Sequence, residues 1–175
     1  MITFTTGTMG AGKSARLIAD LGSLSDKDVR VYSYGTSVTS RNGNSIPAKP
    51  FDEIRNHIHQ WRSYTHVYID EANLMDLETL NMVIEASLES NAWVSLYGLR
   101  TDFTGNLFPT SKRLLEVSDT IITAETETCE HCHIRFATMN ARYDNDGNRV
   151  TSGDLIEIDK DNYKALCLKC FMEEK

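Results

Sequence analysis

No apolar run in this sequence approaches the about 20 residues that a membrane-spanning helix needs. The N-terminus carries no basic stretch followed by an apolar core, so no export signal is expected and the cytoplasm is the default location. An excess of positive charge is also missing. The formal net charge of −7 argues against an extended nucleic-acid surface, because such a surface must replace phosphate counterions with Lys and Arg. It does not oppose a small anion held in a local nest of backbone amides. Internal repeats and low-complexity stretches are absent.

Cysteine is scarce, and its distribution is telling. All four cysteines fall in two pairs, Cys129-Glu130-His131-Cys132 and Cys167-Leu168-Lys169-Cys170. Without an export signal, paired C-x-x-C elements predict a tetrahedral Zn²⁺ site rather than disulfides; redox pairs and free thiols are the alternatives. Four thiolates complete the zinc shell, so His131 and His133 read as solvated neighbours. With no open position for water, the metal is expected to be structural: it clips the long segment between the pairs and leaves nucleotide binding elsewhere unaffected.

What is present suits a globular chain. Of 175 residues, 41% are hydrophobic and 25% charged, enough for one domain with a smaller appendage. The run Ile2-Thr3-Phe4-Thr5-Thr6 leads directly into Gly7-Thr8-Met9-Gly10-Ala11-Gly12-Lys13-Ser14. Strand, glycine-rich turn and helix start are the context in which G-x-x-x-x-G-K-[ST] is a phosphate-binding loop. The glycines let backbone N–H groups converge on an anion, and the helix adds the positive end of its dipole. Lys13 would reach the β and γ phosphates and Ser14 Oγ would bind Mg²⁺. The plainer reading is a turn that merely joins strand to helix.

Further along, strands are expected at Asp28–Tyr34, Thr65–Glu71, Trp93–Tyr97 and Thr120–Thr123, the last as a core strand. Helices are expected at Phe51–Trp61, Asp76–Ser87 and Ser111–Val117, and a loop from Gly35 to Asn44. His57 and His59 stand two apart and cannot share a helix face, so neither is a metal candidate. Asp144–Arg149 looks like a calcium loop but lacks the distal Glu, and a hairpin turn is expected. Alternating strands and helices predict an α/β fold with a parallel sheet and flanking helices. Asp70 ends a strand where a phosphate loop needs a carboxylate for Mg²⁺. Glu71 then reads either as a base for an acceptor hydroxyl or as a solvated strand-end residue.

Several motifs together resemble the cellular-type (type II) thymidine kinases. They are Gly7 to Ser14 with Met9 in third place, Asp70-Glu71-Ala72-Asn73, Gly98-Leu99-Arg100-Thr101-Asp102-Phe103-Thr104-Gly105, and the cysteine pairs. The resemblance covers nearly the whole chain. It implies a P-loop kinase domain over residues 1–123 and a small zinc-binding lasso domain over 124–175. The implied activity is ATP- and Mg²⁺-dependent 5′-phosphorylation of thymidine or deoxyuridine in nucleoside salvage. Gly7 to Ser14, Arg41, Asp70 and Asn73 would bind the cofactor, with Mg²⁺ held through Ser14 and Asp70. Glu71 matches the general base. Met9, Phe103, Phe108 and Tyr163 match the thymine pocket, although Phe108 also suits core packing. Leu155, Ile156, Glu157, Ile158 and Asp159 match part of the lasso, and Cys129, Cys132, Cys167 and Cys170 the zinc ligands. Feedback inhibition by dTTP and a homotetramer are implied by the resemblance alone; neither nucleic acid nor membrane is an expected partner.

Some positions depart from the family pattern. Thr39 stands where an aspartate is usual, Asn73 and Leu74 replace glutamine and phenylalanine, and Asp159 replaces a lasso glycine. These changes suit a divergent member, including a viral one, and bear on nucleotide affinity, feedback and base selectivity more than on fold. The rival reading, favoured by the change at Thr39, is a nucleotide-binding regulator with weakened catalysis and a zinc segment used for partner contacts.

Overall fold

The computed structural model describes residues 1–22, 24, 28–124, 127–155 and 162–173. In chain order the strands and helices are β1 (Ile2–Gly7), α1 (Lys13–Leu21), β2 (Val29–Ser33), β3 (Ser37–Thr39), β4 (Ser45–Pro47), β5 (Lys49–Pro50), α2 (Ile54–His57), β6 (His66–Ile69), α3 (Leu77–Glu89), β7 (Trp93–Leu99), α4 (Pro109–Val117), β8 (Thr120–Thr123), β9 (Met139–Tyr143), β10 (Arg149–Val150), β11 (Tyr163–Leu166) and α5 (Leu168–Glu173).

Six of these strands form one parallel sheet in the order β5-β2-β6-β7-β1-β8. Period-two burial decides which side chains meet which layer. On one face Phe4, Val67, Ile69, Val94 and Leu96 pack with Leu80 and Val83 of α3, Leu114 of α4 and Trp61. On the other, Tyr68 and Tyr97 pack with Leu17 of α1 and Val38 of β3. Helix α3 starts at Asp76, whose carboxylate accepts the Thr79 N–H at 2.7 Å and the Thr79 hydroxyl at 2.7 Å. Because the sheet is parallel, the ends of β1, β6 and β7 open on one edge, where α/β sheets place their ligands.

A second sheet, β10-β9-β11, is antiparallel. Its apolar face, Met139, Ala141 and Leu166, joins Phe171 of α5 and the cysteines in a separate small core. The β9–β10 connection is the expected hairpin: Asp144 Oδ1 accepts the Asp146 and Asn148 N–H groups at 3.0 and 2.8 Å.

Three elements differ from the sequence expectation. The polar stretch 35–44 contains strand β3 of an antiparallel hairpin with β4, because Val38 buries itself against the α1 side of the sheet while Ser40 and Gly43 turn the chain. Phe51–Trp61 is one α-helical turn flanked by 3₁₀ turns. Its few apolar anchors, Ile54 and Trp61, fix their burial by packing, and the segment is too short for helix propensity to dominate. Strand β8 lies at the sheet edge with Thr120 and Ile121 exposed, not in the core.

Candidate active site

The turn after β1 is shaped by its glycines. Gly10 and Gly12 have φ of 87° and 73°, a region costly for side-chain-bearing residues. A Cβ on Gly10 would also stand 2.8 Å from Arg41 Nη1. Gly12 caps α1, whose first residue is Lys13. Lys13 curls back over the loop and donates from Nζ to the Thr8 carbonyl at 2.7 Å and more weakly to that of Gly7 at 3.4 Å. Burial drives its ammonium well below the usual lysine range, to about 8. Asp70 and Glu71 oppose that shift and Arg41 adds to it.

Asp70 follows β6 and is buried. Its N–H donates to the Tyr32 carbonyl at 2.9 Å, and its Oδ2 accepts the Ser14 hydroxyl at 2.8 Å. Loop hydroxyl and strand-end carboxylate therefore meet beside Lys13. Glu71 adopts φ 54° and ψ 33°, a left-handed conformation that non-glycine residues keep mainly at functional positions. Asn73 ties the segment after β6 to the end of β7 and the start of α4: its Oδ1 accepts the Leu99 N–H at 2.9 Å, and its carbonyl accepts the Thr110 hydroxyl at 3.0 Å.

These residues line one cleft of about 630 Å³, within the range of small-molecule sites. Met9, Gly10, Gly12, Lys13, Ser14, Arg41, Asp70, Glu71 and Asn73 line its polar end; Phe103, Phe108, Leu155 and Tyr163 add apolar surface. Of the other loop residues, Thr8 and Ala11 are buried beneath it, and a Cβ on Gly7 would crowd Ala11 at 3.0 Å. Ile156, Glu157, Ile158 and Asp159 lie outside the described residues. Thr39 lines the cleft and pairs its hydroxyl with Ser45 Oγ at 2.9 Å.

Sequence reading missed the contribution of β9. Asn140 is 3% exposed and lines the cleft; its Oδ1 accepts the Met9 N–H at 2.8 Å. Arg142 stacks 3.9 Å above the Phe103 ring and donates to the Asp154 carbonyl at 2.7 Å. Arg149 donates to the Phe103 carbonyl at 3.1 Å. The signal was the period-two alternation Met139-Asn140-Ala141-Arg142, apolar toward the cysteines and polar toward the cleft. The cysteine segment and the phosphate loop are thus in direct contact rather than separate.

All four Sγ atoms lie within 4.8 Å of one another, with Cys132 and Cys167 at 4.0 Å. A tetrahedral zinc–thiolate centre, with Zn–S near 2.3 Å, spaces its sulfurs about 3.8 Å apart, so the cluster could hold a zinc ion. Backbone N–H groups of Ile134 and Arg135 aimed at Cys132 lower its thiol to about 6, favouring the thiolate that a metal requires. His133, at φ 53°, forms part of that turn. His131 and His133 are exposed, beside the cluster.

Strand, glycine loop, helix and strand-end carboxylates define a phosphate-loop α/β protein, here joined to a four-cysteine module. A family model described as "Thymidine kinase" matches residues 1–171. The chain belongs to the thymidine kinase family. It is 33% identical to the thymidine kinase of Agrobacterium fabrum over 97% of this chain and 95% of that one. It is 35% identical to that of Chromobacterium violaceum over 96% of both. Identity to the thymidine kinase of Enterobacteria phage T4 is 30% over 98% of this chain and 95% of that one. Among solved structures, Pif1 helicase from Candida albicans aligns at a TM-score of 0.48, with 19% identity over 71% of this chain and 36% of that one. That likeness is too distant to bear on function.

Proposed function

We propose that this chain transfers the γ-phosphoryl group of ATP to the 5′-hydroxyl of thymidine. The observation that carries the reading is the convergence in one cleft of Lys13, the Ser14–Asp70 pair, Glu71 and the Phe103–Tyr163 wall. The loop amides and the α1 N-terminus bind phosphate oxygens, and Lys13 exchanges its Thr8 carbonyl partner for phosphate. That exchange returns a counter-charge to an ammonium that burial disfavours. Ser14 Oγ and Asp70 supply the hard oxygens that would hold Mg²⁺, which neutralises charge on the β and γ phosphates when bound.

Glu71 accepts the proton of the 5′-hydroxyl as that oxygen bonds to the γ-phosphorus and the bond to the β-phosphate oxygen breaks, releasing ADP. Arg41, beside Gly10, adds positive charge over the loop. Phe103, Phe108 and Tyr163 supply aromatic surface for the base. Deoxyuridine, lacking only the ring methyl, would enter the same space. The cysteine cluster would hold a structural Zn²⁺ with no open position, so its role is positional. This reading treats residues 1–123 as the kinase domain and 124–175 as the zinc domain, in a cytoplasmic enzyme of nucleoside salvage.

The deciding measurement is turnover of radiolabelled ATP with Mg²⁺ and each deoxynucleoside separately. Thymidine monophosphate is the expected product. Tight nucleotide binding with no phosphorylated nucleoside would instead favour the regulator.

A further inference from the structure

We infer that Asn140 is a positioning residue through which the cysteine module sets the resting place of Lys13. The inference rests on the phosphate-site reading above. A peptide unit is planar, so the Thr8 carbonyl and the Met9 N–H are two ends of one rigid plate. At one end the carbonyl accepts the Lys13 ammonium at 2.7 Å. At the other the N–H donates to Asn140 Oδ1 at 2.8 Å. Turning the plate to break either bond disturbs the other.

Asn140 is well placed to hold that plate. It is buried, and its Nδ2 points to the Thr101 carbonyl at 3.4 Å. Met139 and Ala141 on either side pack with Cys129, Cys167 and Cys170. β9 pairs with β11 along its length, with Leu166 opposite Met139 and Cys167 next in chain. The Thr138 N–H adds a bond to the Leu166 carbonyl at 2.8 Å. The side chain that reaches the phosphate loop thus stands on a strand whose other face is the cysteine core. The glycine loop is given a fixed abutment far from it in sequence.

The test is a titration of the zinc-loaded protein with MgATP, without nucleoside, alongside amide exchange. Asn140→Leu keeps the volume and removes both polar groups. It should weaken MgATP binding about five- to tenfold, the scale of one buried hydrogen bond. Amide exchange at the Met9 N–H should also quicken in this variant, while the β9–β11 ladder amides keep their protection. A variant merely loosened in packing would lose protection along the β9–β11 ladder as well. Wild-type affinity and an unchanged Met9 N–H exchange rate in folded, zinc-loaded Asn140→Leu would overturn the inference. Should that variant not fold, amide exchange in the wild type decides: the Met9 N–H should be protected, and exchange at the free-loop rate would overturn the inference equally. Lys13→Ala, run in parallel, should lose MgATP binding. If it does not, the phosphate-site reading itself fails, which is a different result from failure of Asn140→Leu alone.

Discussion

Glu71 holds a backbone conformation that costs a non-glycine residue about 1–3 kcal/mol, and the fold keeps it at the mouth of the cleft. Two substitutions separate what the side chain does from what the backbone tolerates. Glu71→Gln keeps the shape but cannot take a proton, so kcat should fall at least about tenfold with MgATP affinity little changed. Unchanged single-turnover rates would remove Glu71 from the chemistry. Glu71→Gly should be inactive yet melt no lower than the wild type, because relief of the left-handed backbone outweighs the about 0.5–1 kcal/mol that glycine loses in chain entropy.

Lys13 makes a pH prediction. Its ammonium is held near 8 in the free site, and bound phosphate favours the charged form. Binding therefore takes up a proton above that pH: MgATP affinity should be full below about 8 and decline as pH rises beyond it. Isothermal titration in buffers of different ionisation heat would detect the proton uptake directly. A flat affinity from pH 7 to about 9.5, below the ordinary lysine value near 10.4, would count against a buried Lys13.

At the scale of elements, the four-cysteine cluster should serve both ends of the cleft. Cys167→Ser removes one of the four thiols that could hold zinc and should loosen β11 and β9 together. The variant should lose metal by atomic absorption, raise the KM for thymidine and, through Asn140, weaken MgATP binding. Retention of full nucleoside affinity without zinc would show that the cluster is dispensable to the site. Sequence reading expected zinc to leave ATP binding alone, and the Met9–Asn140 bond is what alters that expectation. The phosphate loop was legible because its backbone demands are written locally: only glycine suits φ of 87° and 73° at positions 10 and 12. Helix α3 was legible too, its expected span of Asp76–Ser87 lying close to the observed Leu77–Glu89. The β3–β4 hairpin was not, since a single buried Val38 in a polar run gives no periodicity to detect. Asn140 was not, because its partner lies 131 positions away and only the folded topology brings them together.

For the whole molecule, the position of β1 matters most. It is made before its sheet neighbours, pairing with β7 and β8, with Ile2 opposite Val94 and Thr3 opposite Thr120. Its Ile2 N–H is donated to the Asp119 carboxylate at 2.7 Å. Long-range parallel pairing of this kind slows folding, because loop closure must come before the contacts that reward it. On the ribosome β1 therefore has no strand partner until most of the sheet has been translated. Arrested nascent chains ending at Ser90, before β7, should leave β1 open to protease, and protection should come only after Thr123 has emerged. Early protection would mean that β1 finds shelter locally. The phosphate loop is thus made long before the strand ends that complete its cleft, and β1 stays an open template edge until β7 and β8 arrive, the stage at which a nascent chain is most exposed to misassembly.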